Sequence, residues 1–217
     1  MAKPITTLLF DFDGTLLDTN ELIIASFQHV LNARYPGRFT REDILMFIGP
    51  PLIDSFNSID PDSAEEMVRE YREWNHVMHD ELAREYDGVS ETLKRLKAAG
   101  IKMAIVSTKR NETIWRGLKL LEAEEIFDTV VGLDDVTNPK PDPEPIILAL
   151  SNVGSTKEEA LMIGDNSHDI EGGKNARVRT AGVAWSIKGE PFLASLQPDY
   201  MLHHLSDLLE IIKGEGA

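Results

Sequence analysis

The chain of 217 residues contains no cysteine. That absence excludes disulfide bonds, thiolate metal sites and cysteine nucleophiles, and it fits a reducing compartment. The sequence also lacks an apolar run long enough to cross a membrane, and its first residues lack the apolar stretch of a secretory signal. We therefore expect a cytoplasmic protein that has no membrane partner.

Positive charge is scarce. The chain has 22 Lys and Arg residues against 37 Asp and Glu residues, which gives a formal net charge of -15. Such a balance disfavours nonspecific binding to nucleic acid, so we expect no nucleic-acid partner. An anionic substrate would need local positive charge from a metal ion or from a few well-placed cations. The charge pattern favours no particular oligomeric state.

Short aliphatic runs alternate with helical patterns along most of the chain. The runs are rich in β-branched and apolar residues and are typical of buried parallel strands. Alternation of this kind predicts an α/β fold with a Rossmann-like, doubly wound parallel sheet. The predicted strands cover residues 5–10, 102–106, 129–133, 160–163 and 180–183.

Residues 17–83 break this alternation because they show no strand-like period of two. Their pattern predicts helices over 19–33, 51–56 and 63–83, and therefore an inserted all-α cap domain. Residues 1–16 and 84–217 would form the core domain.

The longest predicted cap helix has two distinguishable faces. An apolar stripe recurs at spacings of three and four, and we expect it to be core; it comprises Met67, Tyr71, Trp74, Met78 and Leu82. Hydrogen-bond donors share a second face, which is either a solvated polar face or a surface that contacts an anionic substrate. These candidates are Arg72, Asn75, His76 and His79.

Two carboxylates, Asp11 and Asp13, follow the first predicted strand and precede a glycine. Ligands of doubly wound sheets bind beyond the carboxyl ends of the strands, so this pair points into the expected crevice. One carboxylate could attack a phosphate while the other moves protons. Two like unit charges about 4 Å apart repel by about 4 kcal/mol at an effective dielectric near 20, so such an attack requires nearby cations.

The ends of other predicted segments supply suitable groups. Asp165 could complete an oxygen site for Mg²⁺ with Asp11, and Asp169 could orient that site. A phosphate could be bound by Ser107 and Thr108, near a helix start, and by a lysine between prolines, Lys140. Taken alone, each of these residues could equally be a helix cap or an ordinary surface lysine. Their combined order along the chain is far more specific to a phosphate site.

These motifs resemble those of the haloacid dehalogenase superfamily, in its phosphatase branch with a small helical cap. The resemblance covers the whole chain and implies that Asp11 is a nucleophile forming an aspartyl-phosphate, with Asp13 as general acid and then base. It further implies that Mg²⁺ is held by the Asp11 carboxylate, the Asp13 carbonyl and Asp165, with Asp169 behind them. Phosphate would be bound by Ser107, Lys140 and backbone N–H groups that include that of Thr108.

Several further segments resemble the inorganic pyrophosphatases of this superfamily; they are 20–27, 47–51, 58–60, 75–76 and 185–189. This resemblance implies a Mg²⁺-dependent enzyme that hydrolyses pyrophosphate to orthophosphate. The alternatives are a phosphoglycolate phosphatase or a broad small-molecule phosphatase. A phosphomutase resembling β-phosphoglucomutase and an inactive regulatory protein carry less weight. Asp13 favours a phosphatase or a phosphomutase over a metal-pumping ATPase, because hydrolysis of an aspartyl-phosphate needs a base to activate water.

Overall fold

The computed structural model describes residues 3–214. They form two compact units: one contains the residues up to Leu17 and those from Glu85 onwards, and the other is Asp18–Arg84. The two crossings between the units, Leu17–Asp18 and Arg84–Glu85, are short strands of one two-stranded sheet. Within the described part of the chain, no helix has both the length and the apolar character of a membrane span.

The strands are short, as expected for a small α/β domain. In chain order they are β1 (Thr7–Phe10), β2 (Leu17–Asp18), β3 (Arg84–Glu85), β4 (Lys102–Val106), β5 (Thr129–Val131), β6 (Ala160–Gly164), β7 (Arg179–Val183) and β8 (Tyr200–Leu202).

The main sheet has six strands in the order β5-β4-β1-β6-β7-β8, and all of its neighbouring pairs are parallel. The first strand, β1, lies in the middle of the sheet. Strands β4 and β5 follow on one side of it and β6 to β8 on the other, so the direction of strand order reverses at β1. This arrangement confirms the predicted doubly wound α/β fold, and such a reversal opens a ligand crevice at the strands' carboxyl ends. The edge strand β8 is an addition to the five predicted strands.

Some helices flank this sheet, and the first four form the second unit. In chain order the helices are α1 (Asn20–Arg34), α2 (Arg41–Leu45), α3 (Leu52–Ile59), α4 (Ala64–Leu82), α5 (Val89–Ala98), α6 (Asn111–Leu120), α7 (Glu144–Val153), α8 (Ser167–Ala176), α9 (Glu190–Ser195) and α10 (Asp207–Gly214). All four residues of β1 and all five of β6 are buried, which explains their continuous apolar runs.

The helical unit has its own aromatic centre. Phe27 of α1 packs against Phe56 of α3 and Tyr71 of α4, with ring centroids 5.1 and 5.0 Å apart. Aromatic pairs at this separation add to the stability that burial gives. Asn75 of α4 is buried and donates a 2.9 Å hydrogen bond to the Ser26 hydroxyl of α1.

The predicted stripe of α4 is only partly core. Met67 and Tyr71 are buried, whereas Trp74, Met78 and Leu82 are half-buried. In the second half of the helix, the buried side chains are Asn75 and His79 instead of the later residues of the predicted stripe.

The four donors on α4 therefore do not share one environment, contrary to the prediction. Arg72 and His76 are exposed, but Asn75 and His79 are buried. Because successive residues advance by about 100° around a helix, the donor face straddles the edge of the buried sector. Asn75 and His79 are thus not part of a solvated polar face.

Candidate active site

Strand register brings the predicted site residues to one edge of the sheet. Phe10 pairs with Ile105 of β4 on one side and with Ile163 of β6 on the other. Asp11 follows Phe10 directly, so it emerges between the carboxyl ends of these two strands. Ser107 and Asp165 leave those neighbouring strands at the same edge, which is the expected crevice.

Three carboxylates converge there. Asp11, Asp165 and Asp169 are all buried, and each offers an oxygen within 4.8 Å of the other two. Burial, reinforced by neighbouring carboxylates, raises the pKa of Asp11 to about 7 and that of Asp165 well above its usual range. Ionising these carboxylates together is costly, and a bound cation would offset that cost. A set of oxygen ligands is the kind that Mg²⁺ or Ca²⁺ prefers.

Lys140 is buried beside this cluster. Its ammonium group donates hydrogen bonds to Asp11 Oδ1 at 2.9 Å, Asp169 Oδ1 at 2.6 Å and the Val106 carbonyl at 2.6 Å. Burial disfavours its charged form, but the Asp11 and Asp169 carboxylates outweigh burial and raise the pKa of Lys140. Since an ammonium has three N–H donors, these bonds use all of them.

Asp169 is held from two sides. Its Oδ2 accepts a 3.0 Å hydrogen bond from the Asn166 backbone in the capping box of α8, while Oδ1 accepts from Lys140. The approach of Asp169 to β6 requires a glycine at position 164, because a Cβ there would overlap the Asp169 side chain. Asp169 therefore fixes Lys140 and lies within reach of the same cation as Asp11.

The two hydroxyl residues lie in the loop between β4 and α6. Ser107 is buried, and Thr108 is half-buried. The Ser107 hydroxyl accepts a 3.3 Å hydrogen bond from the backbone of Lys109. Helix α6 begins at Asn111 with Arg110 as its N-cap, so neither hydroxyl caps the helix.

Asp13 lies apart from the three clustered carboxylates. Its Oδ1 accepts a 2.5 Å ion-pair hydrogen bond from Lys109 Nζ, and about one sixth of each side chain is exposed (17% and 18%). Sequence reasoning missed Lys109. Its signal was position, because it follows a predicted strand only two residues after Ser107.

Residues 185–189, which the resemblance singled out without giving them a role, follow β7. The Ser186 hydroxyl donates a 2.7 Å hydrogen bond to the Asp165 carbonyl, and Lys188 Nζ donates to Asn166 Oδ1 at 3.2 Å. Burial lowers the pKa of Lys188, although Asp165 and Asp169 oppose this effect. The loop thus supports the backbone of Asp165 and adds a cation near the carboxylates.

A parallel α/β sheet whose switch point holds buried carboxylates and a lysine defines a site suited to a cation and an anionic ligand. Residues 8–183 match the haloacid dehalogenase-like hydrolase family, and the chain belongs to that family. The predicted superfamily and hydrolase class are therefore confirmed.

Relatives of known name cover nearly the full chain. The chain is 57% identical over 216 residues to the pyrophosphatase PpaX of Listeria innocua, with 99% of this chain and 100% of the relative covered. It is 56% identical over 209 residues to the pyrophosphatase PpaX of Bacillus velezensis, with 96% and 97% covered. A haloacid dehalogenase-like hydrolase from Streptococcus pneumoniae has a similar solved structure, with a TM-score of 0.83, 27% identity and coverage of 95% and 97%.

Proposed function

We propose that this protein is a Mg²⁺-dependent phosphohydrolase that cleaves pyrophosphate into two orthophosphates through an aspartyl-phosphate. The observation that carries the chemistry is the environment of Asp11, which accepts a hydrogen bond from the buried Lys140 and clusters with two further buried carboxylates. The substrate is supported by the 56–57% identity to proteins named pyrophosphatase over almost the whole chain.

Asp11 is the proposed nucleophile. Lys140 holds its Oδ1, which restricts the carboxylate and leaves Oδ2 as the attacking atom. A bond forms between Asp11 and one phosphorus atom, and the bond from that phosphorus to the bridging oxygen breaks. The departing orthophosphate takes a proton from Asp13, which acts as general acid.

The second step releases the phosphoryl group. Asp13, now a carboxylate, accepts a proton from water, and the water oxygen attacks the same phosphorus atom. The bond between Asp11 and phosphorus breaks, so orthophosphate leaves and both side chains return to their starting state. One pair of carboxylates therefore performs nucleophilic and acid–base catalysis in turn.

The Mg²⁺ ion would be held by the carboxylates of Asp11 and Asp165 and by the backbone carbonyl of Asp13, with Asp169 beside them. The bound ion supplies positive charge to the phosphoryl oxygens. Lys140 adds a second positive charge next to the attacked group. The Ser107 hydroxyl and the backbone N–H of Thr108 are the proposed hydrogen-bond donors to the phosphoryl group.

We further propose that residues 1–16 and 84–217 act as the catalytic domain and that residues 17–83 act as a cap that selects the substrate. Arg72 and His76 are the better cap candidates, because they are exposed whereas Asn75 and His79 are buried.

A substrate panel tests the proposal. Orthophosphate release from pyrophosphate, phosphoglycolate and β-glucose 1-phosphate is compared with Mg²⁺ and with EDTA. We expect pyrophosphate to give the highest kcat/KM, and we expect EDTA and the variant Asp11→Asn to abolish its hydrolysis. Asp62→Asn, which changes an exposed aspartate, serves as the matched control and keeps full turnover. A strong preference for phosphoglycolate, or turnover that survives EDTA, would contradict the proposal.

A further inference from the structure

Lys109 has no part in the reaction as described above, yet it forms an ion pair inside the site. Its Nζ lies 2.5 Å from Asp13 Oδ1, and both side chains are more than four-fifths buried. Hydrogen bonds between an ammonium and a carboxylate are shorter and stronger than neutral ones. The contact therefore restrains the Asp13 carboxylate more firmly than a bond to a neutral donor would.

The backbone of Lys109 is anchored at both ends of the residue. Its N–H donates to the Ser107 hydroxyl at 3.3 Å, and its carbonyl accepts from the Leu133 N–H at 2.8 Å. Gly132 permits the second contact, because a Cβ there would lie 2.9 Å from the Lys109 carbonyl oxygen. Residues that follow β4 and β5 thus fix the point from which the lysine side chain extends.

We propose that Lys109 is a positioning residue, which holds the Asp13 carboxylate in line for its two proton transfers. This inference rests on the acid–base role proposed for Asp13. A proton donor must come within about 2.6–3.2 Å of its acceptor, and a misplacement of about 1 Å can cost about 100-fold in rate. An aspartate on a loop needs such an anchor, and Lys109 is bonded to its Oδ1.

A different role would be direct binding of the substrate by the Lys109 ammonium. The two roles have different kinetic signatures. A residue that binds substrate equally in the ground and transition states changes KM, whereas one that aligns the acid–base group changes kcat. A positioning residue also acts only through Asp13, so its removal has no effect once the Asp13 acid–base group is gone.

The test is a double-mutant cycle on the full-length enzyme with pyrophosphate and Mg²⁺, using Lys109→Met, Asp13→Asn and the double variant. We expect Lys109→Met to lower kcat about 10- to 100-fold, within the range for general acid–base catalysis, and to leave KM within about twofold. On the Asp13→Asn background, the same change should lower the residual kcat by less than about twofold. Lys109→Arg should restore much of the lost kcat, because it returns a charged donor.

Lys97→Met is the matched control, since it removes a 2.7 Å lysine–aspartate pair with Asp128 at a more exposed position. It should leave kcat and KM unchanged. An equal loss of kcat from Lys109→Met on both backgrounds, or a rise in KM at constant kcat, would overturn the positioning role. Full turnover of Asp13→Asn would instead refute the acid–base role in the proposed function, so the two failures can be told apart.

Discussion

Lys140 Nζ and Asp11 Oδ1 lie 2.9 Å apart, and the lysine is almost fully buried, with 2% of its side chain exposed. The same ammonium also binds Asp169 at 2.6 Å. One ammonium group thus bonds to two of the three buried carboxylates, and the third, Asp165, lies beside them. The site carries a surplus of negative charge, which a divalent cation can balance.

Removal of the buried cation should destabilise the fold. We expect Lys140→Met to lower the free energy of unfolding by about 3–5 kcal/mol near neutral pH, because it leaves Asp11 and Asp169 without their partner. Urea unfolding in EDTA measures the change. Lys97→Met removes a partly exposed pair and should cost less than about 1 kcal/mol. Equal losses in the two variants would contradict the importance of the buried pair.

Magnesium should stabilise the protein more at high pH than at low pH. The folded state raises the pKa of Asp11 from 3.8 to about 7, so between these values the folded protein holds a proton that the unfolded chain has lost. This group therefore makes the metal-free fold less stable as pH rises from about 4 to about 7. Protons also compete with the cation for the carboxylate.

The thermal shift caused by MgCl₂ over EDTA, measured at about pH 5 and about pH 8, checks this prediction. We expect the larger increase in Tm at the higher pH. The variant Asp11→Asn should lose most of that pH dependence. A shift that is the same at both pH values in the parent protein would contradict it.

Two glycines in the same backbone conformation form a matched pair. Gly14 has φ of +75° and Gly37 has φ of +71°. A Cβ at Gly14 would lie 2.8 Å from the Asp165 Cγ, whereas a Cβ at Gly37 would meet nothing within 4 Å. In both alanine variants, the left-handed conformation should lower the free energy of unfolding by about 1–2 kcal/mol.

Only Gly14→Ala should also displace Asp165. We therefore expect it to lose most Mg²⁺-dependent turnover, while Gly37→Ala keeps it. Steady-state rates over a range of Mg²⁺ concentrations, together with urea unfolding, separate the two effects. Full turnover of Gly14→Ala at unchanged Mg²⁺ dependence would refute the metal role given to Asp165.

Substitutions of the polar residues of α4 should affect either stability or substrate binding, depending on whether the side chain is buried or exposed. Asn75→Ala removes a buried 2.9 Å hydrogen bond to Ser26 and should cost about 1–3 kcal/mol in unfolding free energy. Arg72→Gln and His76→Gln change exposed side chains, so they should alter stability by less than about 0.5 kcal/mol. We expect these two variants to raise KM for pyrophosphate. An unchanged KM in both would remove them as substrate-selecting residues.

The core of the fold could be predicted from the sequence because its signals are local. Buried parallel strands are continuous apolar runs, and each of the five predicted runs overlaps an observed strand. Polar residues directly after such runs, as at Asp11 and Asp165, must lie at the carboxyl edge of the sheet. The order of the strands then follows from the doubly wound topology rather than from any single residue.

Other features could not be predicted because they depend on contacts far apart in the sequence. The pair of Lys109 and Asp13 joins residues 96 positions apart, and the position of this lysine two residues after Ser107 does not show which group it binds. The buried sector of α4 turns because Asn75 meets Ser26 of α1, 49 positions away. The short helix α2 has a readable capping box between Thr40 and Asp43, but five residues give too little periodicity to predict a helix.

The central claim is that Asp11 carries the phosphoryl group. The most direct measurement is peptide mass mapping of the parent enzyme, acid-quenched during turnover of pyrophosphate with Mg²⁺. We predict one added phosphoryl group on the peptide that contains Asp11, and none in the Asp11→Asn variant. An unmodified Asp11 peptide during active turnover, or the same modification in the Asp11→Asn variant, would contradict the account.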